Sequence, residues 1–300
     1  MIVLEVAYLE KRYRDNYAVK NISFGLKEGA CTALLGPNGA GKTTTLNMLA
    51  GLLRPTGGSI RTTSSSDDIR EIIGYLPQYP AFFEWMTGNE FLVFSGEISG
   101  LSKGDSRQRA DELISMVGLQ EGKDRRVGHY SGGMKQRLGI AQALIHKPKL
   151  LILDEPVSAL DPFGRREVLE LLKTLKKETT ILFSTHILND AEQICDEVLF
   201  LHKGELIEDG PIEEVKARHH RLKMKLHFNE DSKKFVHFLK VNDWLHNIVS
   251  DGNQISFDVT DLERDRSRIF SMISENGWGV TKFETSEQSL EEVFMEVMNR

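Results

Sequence analysis

Cysteine is scarce in this chain: Cys31 and Cys195 are the only two among 300 residues. Cys31 lies in an apolar stretch that predicts a strand, and Cys195 lies in a helical pattern, so we expect two buried thiols and no disulfide. A chain without disulfides is typical of a reducing compartment such as the cytosol.

Long apolar runs and excess positive charge are also missing. No stretch is apolar for the length that a transmembrane helix requires. The segment Met1 to Glu5 is too short and too soon charged for a signal peptide. The formal net charge of −6 argues against nucleic acid as a partner. Any role at a membrane is therefore expected to come through a partner protein.

A glycine-rich phosphate-binding pattern is the clearest feature that the chain does contain. It fits G-x-x-x-x-G-K-[ST] and comprises Gly36, Pro37, Asn38, Gly39, Ala40, Gly41, Lys42, Thr43 and Thr44. Glycines let backbone N–H groups approach phosphate oxygens, Lys42 supplies a cation, and the Thr43 hydroxyl can bind Mg²⁺. An apolar strand, 31–35, precedes the loop and a helical segment, 44–50, follows it, so a nucleoside triphosphate site at a helix N-terminus is predicted.

Two carboxylates follow a second apolar strand. Residues 150–153 form a run typical of a buried parallel strand, and Asp154 and Glu155 come directly after it. Because ligands of open α/β sheets bind at the carboxyl ends of strands, we expect both side chains beside the phosphate loop. Asp154 suits Mg²⁺, which prefers hard oxygen ligands, and Glu155 suits a general base for the attacking water. The alternative is a plain surface turn.

Three further side chains are candidates because of their positions. Gln78 ends a predicted strand and could reach Mg²⁺ or the attacking water, and His186 ends another and could hydrogen-bond a γ-phosphate. Each of them, taken singly, is more typical of a solvated or structural residue. Tyr13 could stack on an adenine ring, or it could instead cover a sheet edge. The small polar residues 57–66 indicate a turn or short hairpin.

A second helix N-terminus could bind an anion. Ser131 is a preferred N-cap residue, and Gly132 and Gly133 expose the first N–H groups of the helix that follows. An ordinary cap without a ligand is the better interpretation of this segment alone. Upstream, residues 87–90 form a capping-box pattern, and about 87–145 are predicted to be a helical insert.

The aromatic run from Tyr79 to Met86 has two interpretations. Its rings either pack between the helical insert and the sheet, or they form an exposed docking patch. Phe82, Phe83 and Trp85 are the residues that this choice concerns most. The run itself does not decide between them.

Taken in order, these motifs resemble the nucleotide-binding domain of ATP-binding-cassette (ABC) transporters over residues 1–215. The resemblance matches Walker A to Gly36–Thr44, the adenine-stacking aromatic to Tyr13, the Q-loop residue to Gln78, the signature to Ser131–Gln136, Walker B to Leu150–Glu155, the D-loop to Ser158–Asp161 and the switch histidine to His186. The one departure is Tyr130, where the signature usually carries leucine. We expect little effect from it, since that side chain does not hold the phosphate.

The resemblance implies a fold and a mechanism. The expected fold is an α/β P-loop NTPase with a helical insert, and the expected activity is hydrolysis of ATP bound between two cassettes. ATP would contact the phosphate loop and Tyr13 of one copy and Ser131–Gly133 of the other. Thr43, Gln78 and Asp154 would hold Mg²⁺, and Glu155 would act as general base, assisted by His186 and Gln78. One complete motif set permits a homodimer, and a heterodimer with a related ATPase is equally compatible.

The resemblance also implies a partner and a location. A separate polytopic membrane permease would dock near Gln78 and the insert, which favours the aromatic run as part of the docking surface. The chain would then lie at the cytoplasmic side of the cell membrane, attached through that permease. Two other classes explain less: soluble ABC ATPases of translation or DNA repair usually carry two cassettes or basic patches, and a small-molecule kinase would not need Ser131–Gln136 or His186.

The last third of the chain predicts a second domain at residues 216–300. After a basic linker at 218–221, the pattern of elements is β-α-β-β-α-β, which suggests a small α+β ferredoxin-like fold. The segment Ser286–Met295 resembles the C-terminus of ATPase subunits of ABC-2-type exporters, the drug, sodium and antibiotic-resistance class. This domain shows no catalytic constellation, so a stabilising or dimer-contact role is favoured over ligand binding. The transported substrate is not encoded here, because its path lies in another chain.

Overall fold

The computed structural model describes residues 1–62, 68–158, 160–219, 222–286 and 289–298. Parts of four predicted segments therefore lie outside the described residues: the end of the 57–66 turn, the D-loop residue Ala159, the linker residues His220 and Arg221, and Glu287 and Gln288 of the C-terminal motif. The chain forms two compact units, Met1–Ile212 and Glu213–Arg300.

The first unit contains two sheets. Its strands are β1 (Ile2–Tyr13), β2 (Asn16–Lys27), β3 (Cys31–Leu35), β4 (Gly57–Thr62), β5 (Ile73–Leu76), β6 (Leu150–Asp154), β7 (Thr180–Thr185), β8 (Glu197–His202) and β9 (Glu205–Pro211). Six of them form one sheet in the order β5-β6-β7-β3-β8-β9, parallel except between β8 and β9. Every residue of β3, β6 and β7 is buried, which explains the apolar runs at 33–35, 150–153 and 181–183.

The other three strands form an antiparallel sheet in the order β2-β1-β4. β4 pairs with β1, so Gly57–Thr62 is a strand and not the predicted turn or hairpin. The apolar faces of β1 and β2 pack into one core with residues of the larger sheet, including Leu34 and Ile152. This core positions the loop after β3 against the hairpin between β1 and β2.

Four of the six helices of the first unit, α2 to α5, begin at a residue whose side chain caps the helix. They are α1 (Lys42–Leu49), α2 (Gly88–Ile98), α3 (Lys103–Met116), α4 (Gly132–Ala143), α5 (Pro162–Leu175) and α6 (Leu188–Ile194). Thr87 and Glu90 form the predicted capping box at the start of α2, and Ser131 caps α4. The α/β P-loop architecture with helices between strands is confirmed.

The second unit is the predicted ferredoxin-like fold. After α7 (Ile212–Arg218), which spans the boundary between the units, the elements are β10 (Leu222–Phe228), α8 (Lys233–Lys240), β11 (His246–Asp251), β12 (Gln254–Val259), α9 (Leu262–Asn276), β13 (Val280–Ser286) and α10 (Leu290–Met298). The sheet order is β11-β12-β10-β13, antiparallel throughout. Alternate residues Met224, Leu226 and Phe228 point into its core, as the strand pattern predicts. Within the described ranges, no helix has both the length and the apolar composition needed to cross a bilayer.

Candidate nucleotide-binding site

The loop between β3 and α1 takes a shape that two of its glycines make possible. A Cβ atom on Gly36 would lie 2.3 Å from the Leu201 carbonyl oxygen, which leaves no room for a side chain. Gly41 has φ 107°, and a Cβ there would lie 2.4 Å from the Ala18 carbonyl oxygen. Gly41 is also the N-cap residue of α1. Because it has no side chain, it cannot accept a hydrogen bond from the first N–H groups of that helix. Those N–H groups therefore suit an anion.

Lys42 is buried within this loop. Its Nζ donates hydrogen bonds to the carbonyl oxygens of Gly36 at 2.8 Å and Pro37 at 3.3 Å. The same Nζ lies 3.7 Å from Oε1 of Glu155. Burial lowers the pKa of Lys42, while the negative charges of Glu155 and Asp154 act to raise it. The loop backbone and Glu155 thus hold the ammonium group at the place where phosphate oxygens would bind.

Asp154, the last residue of β6, is fully buried. Its Oδ1 accepts a hydrogen bond from the Ser184 hydroxyl at 2.6 Å. Its Oδ2 is buried too and has no hydrogen-bond partner among the described residues. A buried carboxylate oxygen without a donor is unfavourable unless it binds something else. The chemistry of this oxygen fits a Mg²⁺ ion, which prefers hard oxygen ligands. Thr43 and Gln78, the other predicted ligands, line the cavity described below, whereas Asp154 is not part of its lining.

Glu155 has a backbone conformation that is uncommon for a residue with a side chain. Its φ is 47°, in the left-handed region, and its N–H donates to the Ser184 hydroxyl at 2.9 Å. Strain of this kind tends to occur at functional sites. Oε2 accepts from the Gln78 amide at 3.4 Å, and Oε1 lies 3.4 Å from Nδ1 of His186. The carboxylate therefore stands among a cation, an amide and an imidazole.

These side chains surround one cavity of about 380 Å³. Its lining residues are Ala18, Asn38, Gly39, Gly41, Lys42, Thr43, Thr44, Gln78, Glu155 and His186. Ala18 is the one member that the sequence analysis missed, because an alanine in a strand carries no chemical signal. Ser184, whose hydroxyl donates to the Asp154 carboxylate and accepts from the backbone N–H of Glu155, was missed as well. A serine that directly follows the apolar run 181–183, two residues before His186, was the available signal.

The remaining candidate residues lie outside the lining. Gly36, Pro37, Ala40 and Asp154 support the cavity from the interior side or within the loop; the Ala40 carbonyl accepts a hydrogen bond from the Gly204 N–H at 2.9 Å. Tyr13 ends β1, is 50% exposed and has the Lys11 ammonium 5.1 Å from its ring centre. The adenine-stacking role of Tyr13 stays a prediction.

The N-terminus of α4 is also separate from the cavity lining. Ser131 is exposed, and its Oγ accepts a hydrogen bond from the Met134 N–H at 3.2 Å. Gly132 is exposed next to it, and a Cβ on Gly132 would meet no described atom within 4 Å. Within one chain, therefore, the described lining of the cavity does not include the predicted second anion site.

The aromatic run divides between the two predicted alternatives. Phe82 and Phe83 pack against α2, with ring centres 5.2 and 6.5 Å from that of Phe91. Tyr79 is 81% exposed and Trp85 is 67% exposed. Phe82 and Phe83 thus hold the loop on the insert, although Phe83 is still 47% exposed, and Tyr79 and Trp85 lie on the surface. That this surface is a docking patch stays a prediction.

Comparison with known proteins gives matches along the whole chain. The family described as "ABC transporter" matches residues 19–158, and "ATP-binding protein DrrA1-3-like, C-terminal domain" matches residues 210–298. An uncharacterised ABC transporter ATP-binding protein, YxlF of Bacillus subtilis (strain 168), is 49% identical to this chain. The alignment covers 99% of this chain and 100% of that protein. The bacitracin transport ATP-binding protein BcrA of Bacillus licheniformis is 36% identical, over 99% of this chain and 97% of its own.

A solved structure of an ATP-binding cassette also matches part of this chain. It is described as the dimeric structure of a post-hydrolysis state of the ATP-binding cassette MJ0796 bound to ADP and Pi, and it is 28% identical with a TM-score of 0.63. The match covers 70% of this chain and 98% of that one. This chain therefore belongs to the ABC transporter ATP-binding proteins, a family of ATPases, and carries the C-terminal domain of their DrrA1-3-like members.

Proposed function

We propose that this chain is the ATPase subunit of an exporter whose membrane permease is a separate chain of the ABC-2 type. The observation that carries the proposal is the arrangement at one cavity: the Glu155 carboxylate lies 3.7 Å from Lys42, 3.4 Å from Gln78 and 3.4 Å from His186. The reaction is hydrolysis of ATP to ADP and inorganic phosphate. A water oxygen bonds to the γ-phosphorus as the bond to the β-phosphate oxygen breaks.

Each side chain of the cavity has a distinct task in this reaction. The first N–H groups of α1 and the Lys42 ammonium bind the β- and γ-phosphates and balance their negative charge. Glu155 takes a proton from the attacking water, which needs a carboxylate facing the γ-phosphate. Gln78 and His186, both in contact with Glu155, orient that carboxylate and the water, and His186 can also hydrogen-bond the γ-phosphate.

Asp154, Thr43 and Gln78 are the residues that would hold Mg²⁺. The ion, when bound, neutralises charge that develops on the β- and γ-phosphates during transfer. The unpaired Oδ2 of Asp154 supports this assignment, since a buried carboxylate oxygen calls for a cation or a donor. Ser184 keeps the other oxygen of Asp154 engaged and so fixes the orientation of the carboxylate.

The site is proposed to be complete only in a head-to-tail dimer of cassettes, formed with a second copy or with a related ATPase. Ser131 and Gly132 are exposed at the start of α4, Gly133 is half-buried beside them, and none of the three is among the described lining residues of the cavity in their own chain. Their N–H groups would close over the γ-phosphate held by the other cassette. Loss of that bridging charge after hydrolysis would let the two cassettes separate.

The permease is proposed to dock on the aromatic run of the first unit. Tyr79 and Trp85 expose large rings there, and Phe82 and Phe83 anchor the loop on α2. The BcrA relative is named for bacitracin transport, and the C-terminal domain is of the DrrA1-3-like kind, which supports the exporter class. The chain would then act at the cytoplasmic face of the membrane, and residues 216–300 would serve as a stabilising or dimer-contact domain.

Co-purification of the tagged full chain from detergent extracts tests the proposal. We expect a polytopic membrane protein to co-purify and to raise the rate of ATP hydrolysis. Replacement of Trp85 by Ser should reduce its recovery, whereas Phe163→Ser, which alters another exposed aromatic residue on α5, should not. Absence of any membrane partner, together with ATP turnover that responds to RNA or DNA, would instead favour a soluble ABC ATPase.

A further inference from the structure

Tyr130, the residue before the cap of α4, places its hydroxyl in the interior of the first unit. The side chain is only 6% exposed, and Oη donates a hydrogen bond to the Gly122 carbonyl oxygen at 2.8 Å. Gly88, the first residue of α2, lies against the same hydroxyl: a Cβ on Gly88 would be 2.1 Å from Oη. One hydroxyl thus contacts both the turn at Gly122 and the start of the helical insert.

Backbone hydrogen bonds also join the residues just before α2 to the residues just before Tyr130. The Val127 N–H donates to the Met86 carbonyl oxygen at 2.8 Å, and the Gly128 N–H donates to that of Glu84 at 3.0 Å. These bonds fix the end of the aromatic run to the residues just before Tyr130. Residues 122–130 therefore link the start of α2 to the start of α4. Among the described residues of this segment, the Tyr130 hydroxyl is the one buried polar side-chain group.

Packing around Gly122 extends the link into α4. A Cβ on Gly122 would lie 2.5 Å from Cε of Met134, so the methionine side chain fills the space that the glycine leaves. The N–H of Met134 donates to Oγ of Ser131, which is the cap of the helix. Tyr130 and Met134 thus hold Gly122 from two sides, with Ser131 between them in the chain.

A tyrosine does more here than fill space. A leucine, the usual residue at this place of the signature, would leave the Gly122 carbonyl without the phenol donor. A hydrogen bond constrains direction as well as distance, whereas the hydrophobic effect is non-directional. A buried hydroxyl that lost its partner would be unfavourable, so the hydroxyl favours one arrangement of the two helix starts.

We propose that Tyr130 is a positioning residue for the phosphate-binding end of α4, holding Ser131, Gly132 and Gly133 in a fixed arrangement with the start of α2. The inference rests on the proposed function, in which these three residues complete the ATP site of a second cassette. Tyr130 is not among the described residues that line the cavity at Lys42, so we expect binding of ATP to the phosphate loop to be independent of it.

The test measures ATP-dependent dimerisation of the full chain separately from ATP binding. In a Glu155→Gln background, Tyr130→Phe removes only the hydroxyl. It should raise the concentration needed for dimerisation with ATP and Mg²⁺ about tenfold, the scale of one lost hydrogen bond. Affinity of the monomer for ATP, measured by equilibrium dialysis, should stay unchanged. Tyr75→Phe is the matched control, because it removes the hydroxyl that donates to Asn47 at 2.9 Å; it should leave dimerisation as it was.

A double-mutant cycle tests the contact itself. Gly88→Ala should impair dimerisation because its methyl group meets the Tyr130 hydroxyl. In a Tyr130→Leu background the Gly88→Ala substitution should impair dimerisation much less, since the hydroxyl is gone. An alanine equally harmful in both backgrounds would overturn the proposal. So would a Tyr130→Phe variant that loses only thermal stability while dimerising like its parent.

Failure of the proposed function would look different. If the Glu155→Gln chain with Tyr130 intact never dimerises with ATP, the head-to-tail site is wrong and the role of Tyr130 falls with it. If that chain dimerises and the Tyr130→Phe variant does so at the same concentrations, the ATPase site stands and only the role of Tyr130 is overturned.

Discussion

The Glu155 carboxylate and the Lys42 ammonium lie 3.7 Å apart with both side chains largely buried. The group proposed to activate water is thus in contact with the group proposed to bind phosphate. Phosphate oxygens bound at the loop would add a partner to the Lys42 ammonium, which the loop carbonyl oxygens and Glu155 already hold. We therefore expect ATP binding and the orientation of Glu155 to be coupled through this ion pair.

Replacement of Glu155 by Gln should separate binding from hydrolysis. Glutamine keeps the size of the side chain and can still contact Lys42, Gln78 and His186, but it cannot take a proton from water. We expect the turnover rate to fall by about 10²- to 10⁴-fold, the usual contribution of a general base, with ATP affinity retained. A steady-state ATPase assay with a filter-binding measurement checks this. Normal turnover in the variant would show that another group is the base.

The unpaired Oδ2 of Asp154 predicts a defect specific to Mg²⁺. Asp154→Asn keeps an oxygen that can accept from the Ser184 hydroxyl but removes the negative charge. The Mg²⁺ concentration for half-maximal hydrolysis should rise by about tenfold or more, on the scale of 1.4 kcal/mol or above per lost charged contact. Ser184→Ala, which removes the hydroxyl and leaves the charge, should shift the Mg²⁺ titration less. An unchanged titration for Asp154→Asn would contradict the assignment.

The phosphate loop contains two glycines with positive φ that differ in their surroundings. Gly41 (φ +107°) would place a Cβ 2.4 Å from the Ala18 carbonyl oxygen, whereas a Cβ on Gly39 (φ +80°) would meet nothing within 4 Å. Gly41→Ala should therefore weaken ATP binding more strongly than Gly39→Ala, which suffers backbone strain alone. Isothermal titration with ATP compares them. Equal losses would mean that the contact with Ala18 is unimportant.

His146 predicts a pH dependence of stability that is independent of the nucleotide site. Its Nε2 lies 3.1 Å from the Ile73 carbonyl oxygen, and burial lowers its pKa below the ordinary value of 6.5. Below pH 6.5 the imidazole of the unfolded chain binds a proton more readily than that of the folded chain. The contribution of neutral His146 to the free energy of unfolding is therefore complete above pH 6.5 and is lost as the pH falls towards the pKa of the folded state. Thermal denaturation midpoints should fall on acidification more for the parent chain than for His146→Gln. Parallel curves would contradict the prediction.

Much of this site could be predicted because most of its functional residues lie in short, consecutive segments of the sequence. The phosphate loop, Asp154 and Glu155 each follow an apolar strand, and parallel strands bring their carboxyl ends to one edge of the sheet. The ferredoxin-like order of the second unit was equally predictable, since Met224, Leu226 and Phe228 all face its core and alternate with less buried residues.

The parts that escaped prediction depend on contacts distant in sequence. Ala18 and Leu201 shape the phosphate loop through their carbonyl oxygens, which every residue has, so their side chains give no signal. Gly57–Thr62 forms a strand although its residues are small and polar, because β1 offers it an open edge. The contacts of the Tyr130 hydroxyl were not predicted, because they are with the Gly122 carbonyl oxygen and the backbone of Gly88, and glycine offers no side chain as a signal.

The central claim is that Ser131 completes the ATP site of another subunit, and one pair of substitutions tests it most directly. Asp and Asn are helix N-cap residues of about the same quality as Ser, so either can replace Ser131 without loss of the cap. Asp would, however, place a negative charge beside the γ-phosphate. In a Glu155→Gln background, light scattering with ATP and Mg²⁺ should show a dimer for Ser131→Asn and a monomer for Ser131→Asp, with ATP bound by both. A Ser131→Asp variant that dimerises with ATP as readily as Ser131→Asn would contradict the account.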